Sequence, residues 1–323
     1  MKRLKMKRTN RIPKIQKLRF LSLFLVIAFF VFIPLSNWYA NFKISYNNSR
    51  LVGLSDGKIE SWVYHALDSF YKLFEDPVIA ATSNNGSLWA YTVFGIPISD
   101  PLGLLSELIS SVHFPLKYFI GGLIPYLLAI LLGRFFCAWL CPMVVINALS
   151  RRIRKVLLFF HIPLLNLKIP VETRAVVFFG GLILSYVFGM WTWHFILPYI
   201  SFTHEIFSLI IFHSFTIGAY FLLAIILFEI AVIPGQFCKS ICPTGFLLSL
   251  IGKIRLVKLK TVPAKCPVGC HKCYDACPID LYPKNNKLNS CHLCMKCVAN
   301  CPTNNIKITA KLKNTAIEES KKV

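Results

Sequence analysis

The densest chemistry in this sequence lies in eight cysteines near its C-terminal end. The run "CHLCMKCVANCP" sets Cys291, Cys294, Cys297 and Cys301 at C-x2-C-x2-C-x3-C-P spacing. Three thiolates this close wrap one iron–sulfur cubane, while the fourth, followed by proline, reaches the neighbouring cluster. A partner run, "CPVGCHKCYDACP", supplies Cys266, Cys270, Cys273 and Cys277 ahead of Pro278, and its last three cysteines map onto the second run at an offset of 24. Cross-ligation then assigns Cys266, Cys270, Cys273 and Cys301 to one [4Fe-4S] cluster, and Cys291, Cys294, Cys297 and Cys277 to the other. Cys266 stands one residue further out than the regular spacing asks. Zinc ribbons also use C-x2-C pairs, but two runs that each close with C-x3-C-P fit two clusters better. His271 and His292 lie inside the runs and read as exposed spacers, since full sets of cysteines are present.

Four further cysteines form a second pattern. Cys137, Cys141 and Pro142 recur as Cys238, Cys242 and Pro243, an offset of 101 that also carries Arg152-Ile153-Arg154 onto Lys253-Ile254-Arg255. At i and i+4 two thiols share one side of a helix, which the following proline is expected to kink or end. Three readings stay open: inert packing of small hydrophobes, a dithiol–disulfide couple, or joint ligation of a further iron–sulfur or other metal centre.

These groups must be positioned by a strongly apolar chain. Of 323 residues 55% are hydrophobic, and the mean hydropathy is +0.59, too apolar for an ordinary soluble domain. The expected architecture is an α-helical membrane protein of four transmembrane helices, with pseudo-repeated CxxxCP units and a C-terminal bacterial-type 2[4Fe-4S] ferredoxin domain of α+β class. In chain order this gives a basic cytoplasmic tail at 1–19, helix 1 at 20–36 and a periplasmic loop at 37–115. Helix 2 with its CxxxCP follows at 116–142, then a cytoplasmic loop at 143–174, helix 3 at 175–193 and a periplasmic loop at 194–205. Helix 4 with the second CxxxCP spans 206–243, followed by a basic linker at 244–261, the ferredoxin domain at 262–310 and a flexible tail at 311–323.

The net charge of +22 is distributed as a topology signal. Residues 1–19 hold nine Lys or Arg and no acid, 143–175 hold six against Glu172, and the chain after Pro234 holds fifteen against four. Residues 36–115 instead hold four basic and seven acidic side chains. Basic segments stay in the cytoplasm, so a multi-pass protein of the bacterial inner membrane follows, with both termini cytoplasmic and no role in nucleic-acid binding. All twelve cysteines fall on the reducing side of this topology, where clustered thiols point to metal or redox chemistry rather than structural disulfides. In the outer loop, "GIPISDPLGLLSELI" predicts a turn leading into an amphipathic helix with Leu102, Leu105 and Ile109 on one face.

The CxxxCP pairs in "GRFFCAWLCP" and "GQFCKSICP", the terminal double-cluster run and the "SDPLG" element at 99–103 resemble the NapH/MauN-type ferredoxin proteins. These include the membrane subunit of periplasmic nitrate-reductase quinol dehydrogenases and its nitrous-oxide-pathway counterpart. The resemblance covers about residues 90–308. It implies a quinol dehydrogenase subunit that oxidises membrane quinol and passes electrons, through a periplasmic iron–sulfur or cytochrome partner, towards a terminal reductase. Proton acceptors for such a reaction would be sought among Asp100, His113, His194, His204, Glu205 and Glu229. The alternative is an accessory or maturation polyferredoxin supplying electrons for assembly or reactivation of a metalloenzyme. A zinc-stabilised scaffold is the non-redox reading.

The charge distribution predicts that a reporter active only in the periplasm is silent when fused after Val323 and active when inserted within residues 45–85. The opposite pattern refutes the expected topology.

Overall fold

The structure, a computed structural model, describes residues 11–46, 57–83, 85–86, 90–93, 96–110, 116–165, 167, 169–189, 191–232, 235–261, 266–267, 269–285, 288 and 290–310. The chain is mostly helical and divides into two compact units, one of Met1–Phe24, Tyr126–Gly180 and Ile226–Val323, the other of Leu25–Pro125 and Gly181–Ile225.

Helix α1, Arg11–Tyr46, is continuous through Pro34. It begins well inside the expected basic tail and outlasts the expected span. Its segment Ile15–Ile44, with mean hydropathy 2.5, is the one helix among the described residues long and apolar enough to cross a membrane. The other apolar helices are shorter, so the expected set of four spanning helices differs from the elements found. Helix α5, Leu116–Leu132, stops at Gly133, whose φ of 66° only glycine adopts freely. The expected helix 2 therefore ends before its cysteines. Helix α8, Thr173–Phe188, is followed by the single turn α9, Trp191–His194. The expected helix 4 is two helices, α10 at Pro198–Phe212 and α11 at Ile217–Ala231, with His213 left-handed at φ 49° between them. Pro198 at the first helical position explains why α10 starts inside the expected 194–205 loop.

In the second unit, α2 (Lys58–Tyr71) and α3 (Pro77–Thr82) pack with the end of α1 around Tyr39, Tyr64, Leu67, Tyr71 and Ala81. Asp68 draws them together: it accepts from Tyr39 Oη and Lys43 Nζ, both at 2.8 Å, and pairs with Lys72 at 2.6 Å. Strands β1 (Asn85–Gly86), β2 (Ala90–Val93) and β3 (Ile96–Ser99) form an antiparallel sheet in chain order. Asp100 then caps α4, Pro101–Ser110, by accepting the Leu102 N–H at 3.0 Å. The buried apolar residues of α4 are Leu102 and Leu104, while Ile109 is exposed, so the inward face is rotated from the predicted 102/105/109 stripe. The rotation follows from Ser106, which is fully buried because it accepts from Trp193 Nε1 at 2.9 Å and pairs with the Ser185 hydroxyl.

In the first unit, a one-turn helix α6 (Phe136–Trp139) leads to α7 (Met143–Phe159). A π-helical turn at Phe237–Ile241 leads to α12 (Pro243–Ile251). Strand β4, Val257–Thr261, lies in the expected linker and pairs antiparallel with β5, Ile306–Ala310, in register Val257↔Ala310 to Thr261↔Ile306. Between them the one-turn helices α13 (Lys272–Asp275) and α14 (Lys296–Ala299) carry Cys273 and Cys297. Leu259, Leu288, Leu293 and Ile306 close the core around the cysteines.

Gly181 abuts the fully buried Trp193, whose ring would lie 2.5 Å from an added Cβ. Gly181→Val should therefore lower stability by about 1–3 kcal/mol through overpacking, measured as a fall in the melting temperature of the detergent-solubilised protein, while Gly180→Val, with open space around it, should leave it nearly unchanged.

Candidate iron–sulfur centre

The two cysteine runs share the same bend after their last cysteine. Asp280 and Asn304, each three residues after the cysteine preceding proline, are left-handed at φ 50° and 51°. This bend directs the next N–H back to the sulfur: Leu281 N donates to Cys277 Sγ at 3.3 Å, and Asn305 N to Cys301 Sγ at 3.4 Å. Such N–H···S bonds favour the thiolate that a cluster needs. Burial alone would raise the Cys301 thiol, but the N–H groups of Asn305 and Thr303 and the Thr303 hydroxyl outweigh it and hold it below its ordinary value. Leu293 and Met295 are also left-handed, at φ 50° and 58°, curling the second run so that its amides line a concavity of the kind that receives anionic clusters.

Four thiols of the tail lie within electrostatic reach of one another. Burial and the neighbouring thiols of Cys294, Cys291 and Cys277 push Cys297 up, and Cys277 in turn is raised by burial and by Cys294 and Cys291. Cys277 thus joins Cys291, Cys294 and Cys297. In the first run Cys270 neighbours Cys273, and Lys284 lies beside Cys266 and Cys270 and donates to the Cys270 carbonyl at 2.6 Å. The assignment of Cys301 to that set rests on the spacing. Among the described residues no group of three or more His, Cys, Asp or Glu is drawn together around a single ion. A cubane distributes its thiolates over separate irons, so the all-cysteine donors and their amide partners fit clusters.

Side chains far away in sequence clamp the second run by its backbone. Gln16 Nε2 donates to Cys294 O at 2.9 Å, Trp139 Nε1 to Leu293 O at 3.2 Å, and Arg134 Nη1 to Ser290 O at 3.2 Å. Arg255 donates to both Cys291 O and Leu288 O at 2.7 Å. Lys239 pairs with Asp280 at 3.4 Å, and Gly235 lies so near the Pro278 carbonyl that a Cβ would stand 2.6 Å from it. The Cys277/291/294/297 set is therefore held against both CxxxCP segments. His292 is a correction: it is buried, not an exposed spacer. Burial and the surrounding Arg134, Arg19 and Lys296 hold its pKa far below the ordinary histidine value.

Each CxxxCP contains the same distortion. Cys141 N donates to Phe136 O at 3.1 Å and Cys242 N to Phe237 O at 2.9 Å, both i→i−5 bonds. The cysteines thus lie on π-type turns rather than on a through-running α-helix, and the prolines begin the next helix instead of ending the previous one. Such insertions concentrate at functional sites. Cys141 lies within electrostatic reach of Cys137, Cys238 and Cys242. Asn147 Nδ2 donates to Cys238 Sγ at 3.3 Å and Gly245 N to Cys242 Sγ at 3.4 Å. Sequence reasoning missed Gln16, Arg134, Trp139 and Asn147, which carry no motif. The offset of 101 did point to Arg154 and Arg255, both buried. Arg154 gathers the carbonyls of Ile230, Ala231 and Val232 at the end of α11.

The candidate proton acceptors separate clearly. Glu229 Oε1 accepts from Phe237 N at 2.7 Å, and its other oxygen accepts from Gly235 N, bracing the second π turn. Glu205 accepts from Thr216 N at 3.0 Å and from the Thr216 hydroxyl, bracing the α10–α11 turn. His194 and His204 touch ring to ring, centroids 4.6 Å apart. Burial and His204 lower the His194 pKa. His113 lies outside the described residues. Asp100 is buried; Oδ2 accepts from Leu102 N and from Tyr199 Oη at 3.1 Å, and Oδ1 has no hydrogen-bond partner among the described residues. Burial pushes it up to about 7 against the pull of Leu102, Tyr199 and Gly103.

Fold and site together define a ferredoxin-type iron–sulfur protein, and comparison agrees. A family profile described as a 4Fe-4S binding domain matches twice, at 114–159 and 215–261, reproducing the 101-residue repeat around the CxxxCP pairs. The chain is similar to the ferredoxin-type protein NapH of Escherichia coli, 28% identical over 67% of this chain and 76% of the relative. It is similar to the methylamine utilization ferredoxin-type protein MauN of Methylobacillus flagellatus, 25% identical over 62% and 67%. An uncharacterized protein of Methanocaldococcus jannaschii, MJ0750, is 30% identical over 58% of this chain and 79% of its own length. No solved structure matches. The chain belongs to the NapH/MauN-type ferredoxin family.

The crossed ligation is testable on the full protein purified without oxygen. Cys277→Ser should damage the cluster held by Cys291, Cys294 and Cys297, and Cys301→Ser the one held by Cys266, Cys270 and Cys273. Electron paramagnetic resonance of the two variants should lose opposite signals; loss of the same signal refutes the crossing.

Proposed function

We propose that this protein is a membrane-bound electron-transfer subunit that oxidises quinol and sends electrons towards a periplasmic reductase. The observation that carries the reading is the backbone clamp by Gln16, Arg134, Trp139 and Arg255, which fixes the Cys277/291/294/297 set beside the CxxxCP thiols. When bound, the clusters supply one-electron storage at fixed positions, so the two electrons of a quinol leave singly. Cys266, Cys270, Cys273 and Cys301 are proposed to hold the second of the two.

Multi-pass insertion is supported by the exposed apolar residues of the shorter helices, such as Ile120, Leu127, Val176, Ile183, Tyr220 and Leu227; exposed apolar side chains in such number suit lipid rather than water. Helices of 15–17 residues rise about 25 Å against a hydrocarbon core of about 30 Å, and their flanking turns would complete the crossing.

A quinol also releases protons, and Asp100 is the proposed acceptor. Oδ1 is open while Tyr199 and Leu102 orient Oδ2, and a base poised near neutral pH is suited to the task. Quinol should reduce the wild-type clusters in a step blocked by quinone analogues. Asp100→Asn should slow that step about tenfold or more and leave dithionite reduction intact. The wild-type rate should rise with pH through about 7, as the carboxyl becomes ionised. The raised pKa has a matching sign in stability: the fold favours the protonated acid, so wild type loses stability as pH rises from the unfolded value of 3.8 towards about 7. The melting-temperature advantage of Asp100→Asn should grow over that range and level off above it. Clusters that quinol cannot reduce, but a low-potential donor can, would instead favour the accessory or maturation role.

A further inference from the structure

Helix α7, Met143–Phe159, is amphipathic in the inverted sense. Its inward face is polar: Asn147, Ser150 and Arg154 are buried in line with Met143. Asn147 bonds Cys238 Sγ, and Arg154 holds the carbonyls of Ile230, Ala231 and Val232. Its outward face is apolar. Val145, Leu149, Val156 and Phe159 are between 45% and 78% exposed, and their spacing sets them along one side of the helix. A helix bathed in water shows the opposite pattern, with apolar residues against the core and charges outside. The repeat copy lacks the inversion. At the offset of 101, Asn147 corresponds to Leu248, and in α12 Leu247 and Leu248 are buried in the ordinary way.

Two cations decide what can cover this face. Arg152 stands in the middle of the apolar side and Lys155 at its margin. Both are exposed, and no described ion pair includes either. Deep in hydrocarbon an outward arginine is costly, while in water the apolar side chains around it are left uncovered. At the boundary of a bilayer both are accommodated: the aliphatic stems lie along acyl chains and the charged ends reach phosphate. The segment 143–175 holds six basic residues against Glu172 alone, so its charge complements an anionic lipid surface.

We propose that α7 docks on the membrane surface, with Val145, Leu149, Val156 and Phe159 against acyl chains and Arg152 and Lys155 on the phosphates of anionic phospholipid. This rests on the membrane-bound part of the proposed function and not on quinol being the donor. The segment expected to be a cytoplasmic loop thereby supplies an anchor of its own. Because α7 begins directly after Pro142 and bonds Cys238 through Asn147, lipid held on its outer face sets the level of both CxxxCP segments at the bilayer boundary.

The test uses the full-length protein in nanodiscs of phosphatidylcholine and phosphatidylglycerol in equal parts. Photoreactive benzoylphenylalanine is placed at Phe159 or, separately, at Phe24, an exposed position of α1, and the adducts are identified by mass spectrometry. Both positions should label lipid, and Phe159 should favour phosphatidylglycerol. That preference should fall about fivefold in each of Arg152→Gln and Lys155→Gln and persist in Arg152→Lys, with an unchanged melting temperature reporting that the fold is kept. Lipid at Phe24 with no lipid at Phe159, whether a second copy, another protein or nothing is captured there, overturns the proposal and leaves membrane insertion standing. No lipid at either position overturns the membrane-bound reading and this proposal with it. Equal labelling of the two lipids at Phe159, or a preference unaltered when both cations are replaced, overturns the role of Arg152 and Lys155 and with it the anionic surface.

Discussion

Buried guanidinium groups bonded to backbone carbonyls organise the first unit. Helix ends and cluster loops share one difficulty: carbonyls that no regular ladder satisfies. Arg154 gathers three of them at the end of α11, Arg255 takes Leu288 and Cys291, and Arg134 takes Cys238 and Ser290. Each arginine spans several acceptors with one planar fork, which lysine cannot do. The cysteines therefore sit on loops whose backbone is fixed by distant side chains, as one-electron carriers at set separations require.

Two repeats of different length meet at this point. The offset of 24 reproduces a loop in which a left-handed residue turns an N–H onto sulfur, at Asp280 and Asn304 alike. The offset of 101 reproduces an i→i−5 turn that presents a cysteine pair, at Phe136–Cys141 and Phe237–Cys242. The longer repeat is not symmetric in its charge. Arg134 corresponds in register to Gly235, and these two do opposite things: one fills the space among the thiols, the other lets the Pro278 carbonyl approach. A pseudo-symmetric scaffold thus carries a one-sided docking surface for the tail.

Four buried acids serve different ends, three of them in the second unit and Glu229 in the first. Glu205 and Glu229 each use both oxygens to hold a turn, whereas Asp68 is neutralised between lysines and a tyrosine at the end of α1. Asp100 differs from all of them in having one oxygen committed to a helix cap and a tyrosine and the other open.

The cluster-type spacing of the tail cysteines was legible in the sequence because residues a few positions apart stay close in any compact loop. Helicity and the two repeats were legible for the same local reason. The helix limits were not, because Gly133 and His213 end helices inside apolar runs whose composition continues unchanged. Nor was His292, polar in type but enclosed when the second run docks. The nearness of Cys277 to Cys291, Cys294 and Cys297 comes from the packing of α13 against α14. The setting of the CxxxCP thiols was beyond the sequence: Arg134 reaches Ser290 across 156 positions and Cys238 across 104. No linear pattern marks such contacts, because they form only once the chain has packed.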